Sequence, residues 1–289
     1  EKTKEWLLNP QTTWLKEHGI QSKEFVNLIE DNDFLELSEL ERYKLLKHRL
    51  ESCDLRIIDD TKKNLNYWED TYFGKGVFPP KGAGLIEEAL LEKRWNNLIS
   101  AVNSSGQITK RRIEMKELEG EFYFGGKNLI HIEVGNLKYK TLMNVWLNHL
   151  YLSANSSFNY KTLIISKKTD YTKKINFEIS KEILPINTKE ASYILRQIHK
   201  IAAAGRKNCW PIPPESGLAY ALASKEKKKN ERDLFQKKWE GDLYIQGERE
   251  TLTMELCFGK ECKASTILDI ESFDDVLMSL YEPLLKNTN

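Results

Sequence analysis

No stretch of this 289-residue sequence approaches the roughly 20 consecutive apolar residues that a helix needs to cross a bilayer, which removes a helical membrane-spanning role. Charge of one sign is equally scarce. Lys and Arg number 44 against 43 Asp and Glu, a net of +1, so no global field draws the chain onto nucleic acid and any such contact has to be local. Cysteine is limited to Cys53, Cys209, Cys257 and Cys262. Only the last two are close in sequence and no His stands beside them, so a zinc site of standard spacing is unsupported. Scattered thiols fit a reducing cytoplasm better than a secreted disulfide scaffold. There is no internal repeat and no low-complexity tract.

What is present reads as a globular chain, 40% hydrophobic and long enough for two structural parts. It opens on Glu1 inside a helical pattern, which leads us to expect a segment of a longer protein. The first eighty residues carry amphipathic patches at 5–16, 36–50 and 61–73. Ser38 and Glu41 form a capping-box pattern ahead of Tyr43, Leu45, Leu46 and Leu50. Pro79 and Pro80, followed by Gly82 and Gly84, interrupt the pattern, so we expect a helical N-terminal segment over 1–80 and a second domain over 81–289.

The second part begins with a helix whose Leu91, Trp95, Leu98 and Val102 recur at spacings of four, three and four, an apolar stripe suited to cover a sheet. Strands follow at 107–118, 120–124 and 128–134, with Gly125 and Gly126 supplying a hairpin turn. A second helix carries Leu142, Val145, Trp146, His149 and Leu150, and 160–166 returns as a strand in a parallel crossover. Beyond it lie a hairpin with a Lys-rich tip (167–176), a helix over 189–204, a Pro-rich loop, a charge run at 225–232, a hairpin at 243–258 and a closing helix at 273–285.

The order αβββαβ is that of the PD-(D/E)XK nucleases. The expected fold class is therefore α+β, a restriction-endonuclease-like core with helical N-terminal and C-terminal additions. In that class two strand-borne acids hold Mg²⁺ and a Lys two residues past the second acid helps position the attacking water. Here the residue three beyond Gly120, where RecB-type nucleases place Asp, is Tyr123. The third strand keeps Glu133 and puts Gly135 where the Lys belongs. One isolated carboxylate cannot organise a hydrolytic metal site, so the core reads as degenerate, with no metal, cofactor or catalytic residue. Glu87 and Glu88, where active relatives often place a helix-borne acid, read as surface residues. The rival arrangement is an active Mg²⁺-dependent nuclease with a shifted site built from Glu119, Glu121, Glu133 and Lys138, with Lys140 also within reach of a different register.

Five strings, in this order, resemble the C-terminal region of the RecC family, the gamma subunit of exodeoxyribonuclease V. They are Asn9, Pro10, Trp14 and Leu15; Leu40, Glu41, Arg42 and Tyr43; Val145, Trp146, Leu147, Asn148, His149 and Leu150; Pro214, Glu215, Ser216 and Gly217; and Phe235 with Trp239, Glu240 and Gly241. Together they span about residues 6 to 241, and the Pro-Glu-Ser-Gly string is the most specific. The resemblance implies a nuclease-like domain without nuclease chemistry, serving DNA handling and scaffolding inside a helicase-nuclease that processes double-strand breaks. It implies RecB-type and RecD-type helicase subunits and a duplex or forked DNA end as partners. It also implies a pin that divides the duplex, which no matching residue places. A protein-interaction scaffold without DNA contact is the third reading.

Two basic patches are candidates for phosphate contact. The first is Lys161, Lys167, Lys168, Lys173 and Lys174 with Tyr171 at the tip, where cations meet phosphates and an aromatic ring stacks on a base. The second is Lys110 and Arg112, which alternation puts on one strand face. Both also fit ordinary solvated edges. His149, on an apolar helical face, reads as a buried hydrogen-bonded histidine. His131 shares a strand face with Glu133, a polar face lacking the further ligands a metal needs. An excised piece of a larger assembly is expected to expose apolar surface, most of all around Trp6, Leu7, Leu8 and Trp14.

Overall fold

The computed structural model describes residues 1–21, 35–53, 55, 67–72, 75–115, 117–155, 158–169, 174–226, 230–243 and 245–289. In chain order the elements are α1 (Lys2–Leu8), α2 (Pro10–Glu17), α3 (Glu39–Ser52), α4 (Tyr67–Tyr72), α5 (Lys81–Asn103), β1 (Ile108–Glu114), β2 (Glu119–Gly125), β3 (Asn128–Ile132), α6 (Tyr139–Asn155), β4 (Thr162–Thr169), β5 (Ile175–Ile183), α7 (Thr188–Lys207), α8 (Pro214–Glu226), α9 (Glu231–Glu240), α10 (Leu252–Phe258), α11 (Ala264–Leu268) and α12 (Phe273–Lys286). The fold is α+β, with an open five-stranded sheet ordered β1-β2-β3-β4-β5. The run from α5 to β4 reproduces the expected αβββαβ succession, and β5 is added at the far edge.

Contacts divide the chain into two units that interleave along the sequence. The sheet unit comprises Asn27–Leu137 and Tyr160–Glu182; the helical unit comprises Glu1–Val26, Lys138–Asn159 and Ile183–Asn289. This differs from a boundary at Pro79 and Pro80. Those prolines start α5, with Pro80 at its N-cap, and the helices before and after them share one core.

In the sheet unit β1, β2 and β3 form antiparallel pairs, and β3 pairs with β4 in parallel. The β2–β3 turn closes with Gly125 opposite Asn128, and Gly126 takes φ +58°, a conformation that favours glycine. The stripe of α5 is buried as its spacing demands: Leu91, Trp95, Leu98 and Val102 join Ile108, Ile130, Val134 and Ile165 in one cluster. Each such side chain contributes about 1.5–3 kcal/mol by leaving water. Leu45, Leu46 and Leu50 of α3 enter the same cluster. The capping box holds the start of α3: Glu41 N donates to Ser38 Oγ at 3.3 Å and Ser38 N donates to Glu41 Oε2 at 2.7 Å.

The helical unit buries Leu142, Val145, Trp146, His149 and Leu150 of α6. His149 hydrogen-bonds the Leu184 backbone, and burial pushes its imidazole down to about 4. Trp6 and Leu7 are fully buried, with Trp6 edge-on to Trp210 at 5.2 Å, while Leu8 and Trp14 are half-buried. The expected N-terminal apolar surface is therefore absent at Trp6 and Leu7, which this unit's own helices cover, while Leu8 and Trp14 remain partly exposed. Two further expectations change. The patch at 5–16 is two helices, since Pro10 lacks the N–H that would continue α1 and instead starts α2. Among the described residues the expected hairpin at 243–258 is replaced by a single bridge between Gly241 and Gln246, exposed Leu243 and Ile245, a 3₁₀ turn at Glu248–Glu250 and then α10.

Candidate functional site

The site begins at the end of β3. Tyr123 of β2 lies across from Ile130 and, on its other side, from Lys110. Its ring packs on the hydrophobic cluster with Ile132, and the Lys110 ammonium sits 5.9 Å from the ring centroid. Where the sequence places a first metal ligand, the structure has a core side chain. One turn further on, Glu133 N donates to Ile165 O at 2.8 Å, which extends the parallel ladder past the strand. The Glu133 carboxylate accepts the Gly135 N–H at Oε1, 2.9 Å away, and a hydrogen bond from the Tyr43 hydroxyl. Burial first, and then the Glu133 charge, raise the Tyr43 phenol above its ordinary value.

Gly135 is fixed between these groups. Its carbonyl accepts Lys167 N at 2.9 Å, and a Cβ placed on it would lie 3.1 Å from both Cδ2 and Cε2 of Tyr43 and 3.4 Å from Glu133 Oε1. A Cβ at 135 therefore requires the Tyr43 ring to give by a few tenths of an ångström. Helix α3 delivers that ring, and the residue before it, Arg42, holds α3 to α5. Arg42 Nε and Nη2 bind Glu87 Oε2 and Oε1 at 2.9 and 2.6 Å, a bidentate pair in which Glu87 is buried. Glu87 is thus a structural anion and not the surface residue expected. Glu88 is half-buried.

The remaining acids of the shifted arrangement are engaged elsewhere. Glu121 pairs with Lys110 at 2.5 Å and Glu119 with Arg112 at 3.4 Å, both on the exposed side of the β1–β2 hairpin. Lys138 and Lys140 belong to the helical unit. Burial pushes the imidazole of His131, on β3, below its ordinary value, against the pull of Glu133. Among the described residues no group of three His, Cys, Asp or Glu is arranged to hold a metal ion.

The basic candidates fall on the edge strand β1 and, across the sheet, on β4 and the start of β5. Lys110 and Arg112 are on β1, while Lys161 precedes β4 and Lys167, Lys168 and Lys174 lie along β4 and before β5, so roughly 19 Å of strand spacing separates the outer strands. Each edge is already charge-compensated. Lys161 binds Glu182 at 3.0 Å, Lys167 binds Glu39 at 2.9 Å, Lys168 binds Glu178, and Arg112 binds Glu114 at 2.6 Å. Glu39 also receives Arg94 and Arg42, and these partners, Arg94 foremost, hold its carboxyl far below the ordinary range. Tyr171 and Lys173 lie outside the described residues.

Sequence reasoning missed the roof that Tyr43 forms over Gly135. The signal was there in the string Leu40 to Tyr43, two of whose residues make the contacts just described. The string Pro214 to Gly217 has a similar explanation: Pro214 starts α8, and Glu215 N, Ser216 N and Ser216 Oγ all donate to the Glu248 carboxylate at 3.0, 2.7 and 2.6 Å. That carboxylate, on a half-buried residue, sits at the positive end of the helix.

These features define an α+β protein with a mixed five-stranded sheet whose one strand-end carboxylate serves the backbone. Residues 3–225 match the family model of the RecC C-terminal domain, and the chain belongs to that family. It is a domain of the RecC subunit of a RecBCD-type complex, exodeoxyribonuclease V, which brings RecB, RecD and DNA together. A comparison with curated proteins gives no match.

Proposed function

We propose that this domain is a non-catalytic part of RecC that handles DNA and scaffolds the helicase subunits while the complex processes double-strand breaks. The observation that carries this reading is the state of Glu133: its carboxylate is bound by Gly135 N–H and Tyr43 Oη, and the neighbouring lysine position is a glycine under an aromatic ring. A nuclease centre needs acids free to bind a cation and a lysine free to reach water. Here the same backbone corner is used to fasten α3 to the sheet.

DNA handling falls to the β4–β5 edge in this reading. Lys168 makes an exposed ion pair with Glu178 that costs little to exchange, because such pairs are worth at most about 1 kcal/mol and phosphate offers the same geometry, whereas Lys167 is half-buried and shares Glu39 with Arg94 and Arg42. Free thiols at Cys53, Cys209, Cys257 and Cys262 support a working place in a reducing cytoplasm. The test is reconstitution with the helicase subunits, scoring cleavage with Glu133 altered and unwinding with the β4–β5 lysines altered. Loss of cleavage with Glu133→Gln overturns the non-catalytic reading, and unaltered unwinding with the lysine variants overturns the DNA-handling one.

A further inference from the structure

Helix α7 of the helical unit has a face that takes no part in packing. Its inner side buries Ala191, Ile194, Leu195, Ile198 and Ala202. On the other side Lys189, Tyr193, Arg196, Lys200 and Lys207 recur at spacings of four, three, four and seven, which puts all five in one stripe about 60° wide along the helix. All five are exposed, Tyr193 at 56%.

No acid stands on this stripe, and among the described residues none of its four cations has an ion-pair partner. The sheet differs, since glutamates meet Lys110 and Arg112 on β1 and Lys167 and Lys168 on β4. The charges that flank the stripe on α7 are committed elsewhere. The Glu190 carboxylate accepts Asn187 Nδ2 at 3.2 Å as part of the helix cap, and Arg206 pairs with Glu17.

Helix stability does not call for this arrangement. Lys189 stands in the first turn, where the helix dipole disfavours a cation, and Arg196 and Lys200, one turn apart, repel each other. Lys207, in the last turn, is the one cation of the four that the dipole favours. A face that gathers positive charge against the preference of its own helix is complementary to a polyanion.

The line from Lys189 to Lys207 runs about 27 Å, so the matching polyanion is extended. Tyr193 narrows the choice. An exposed ring among cations holds an unpaired base by stacking while the cations hold phosphates; the bases of a duplex are stacked on one another, and an acidic peptide has none.

We propose that the exposed face of α7 carries a single strand of DNA, with Lys189, Arg196, Lys200 and Lys207 on its phosphates and the Tyr193 ring against a base. The inference takes its ligand class, DNA, from the reading above, and places a contact in the helical unit on residues separate from the β4–β5 lysines.

The test follows binding of the full chain to a fluorescein-labelled oligothymidylate by anisotropy as salt is varied. Changing Lys189, Arg196, Lys200 and Lys207 together to Gln should weaken binding at least about tenfold at low salt and flatten the log-log salt slope by about 2–3, since each phosphate contact on a single strand contributes about 0.7. Tyr193→Ala should weaken binding about tenfold with the slope unchanged, while Tyr193→Phe keeps the ring and should bind like the wild type. Lys167→Gln with Lys168→Gln tests the sheet edge separately. A loss there with the α7 variants unaffected overturns the α7 contact and leaves the reading above standing; a loss in the α7 variants supports the contact whatever the sheet-edge variant does. No binding by the wild-type chain, tighter binding of duplex than of the single strand, or displacement by poly-glutamate as effective as by unlabelled strand also overturns the proposal.

Discussion

The ring of Tyr43 lies over Gly135 so closely that a Cβ there would stand 3.1 Å from two of its carbons, while the Tyr43 hydroxyl binds the Glu133 carboxylate beside it. One side chain from α3 thus fills the space of the side chain that residue 135 lacks and occupies the acid that remains. The same contact fastens α3 to the sheet.

This relationship makes the two positions energetically coupled. Gly135→Lys should destabilise the sheet unit by about 1–3 kcal/mol, the usual cost of forcing extra atoms into a packed site. The cost should shrink when Tyr43→Ala opens the space. Urea denaturation of the wild type, the two single variants and the double variant measures the coupling. Additive effects would mean that the ring does not restrict residue 135.

Arg42 and Glu87 make the strongest single test of the polar frame. Arg42→Ala leaves a buried carboxylate without its bidentate partner and should cost about 3–5 kcal/mol, whereas Arg42→Ala with Glu87→Leu should recover much of the loss. Thermal denaturation of the two variants decides it; equal loss in both would show that packing, not charge, dominates at this contact.

The sheet and the α5 stripe were legible from periodicity alone, because a strand alternates and a helix repeats over lengths that a single sequence displays. The capping box of Ser38 and Glu41 was legible for the same local reason. What was not legible rests on pairs distant in sequence: Arg42 with Glu87, Tyr43 with Gly135, and the lysines with Glu39, Glu178 and Glu182. A lysine-rich hairpin looks like a bare cationic tip until the fold brings acids to it. Leu243 to Phe258 failed for another reason, since short apolar alternation does not separate an exposed turn from a strand.

His149 predicts how stability responds to acid. Its imidazole is lowered from 6.5 to about 4 by burial, so the unfolded chain takes up a proton more readily than the folded one. The contribution is fully present above pH 6.5 and is lost as pH falls toward 4, in total roughly 3 kcal/mol. His149→Leu should flatten the dependence of helical-unit stability across that window, as read by hydrogen exchange of α6 and α7 amides. A slope unchanged by the substitution would assign the acid sensitivity to other groups.

The lysine edge predicts a salt effect. Each phosphate contact adds about 0.9 to the log-log slope of DNA binding against salt. Changing Lys167, Lys168, Lys173 and Lys174 together to Ala should flatten that slope for the assembled complex and reduce unwinding. Lys167→Ala alone removes one of the three cations on Glu39, leaving Arg42 and Arg94, and should weaken binding as well. An unaltered slope and unaltered unwinding would move the contact to the opposite edge, with Lys110 and Arg112 next to be changed.

The most direct measurement is cleavage of linear duplex and single-stranded DNA by the purified chain in Mg²⁺ or Mn²⁺, alone and in complexes reconstituted with wild-type or Glu133→Gln chains. The account predicts no cleavage by the chain alone and identical nuclease activity in the two complexes. Cleavage by the chain that disappears with Glu133→Gln, or a complex whose nuclease activity falls with that change, would contradict it.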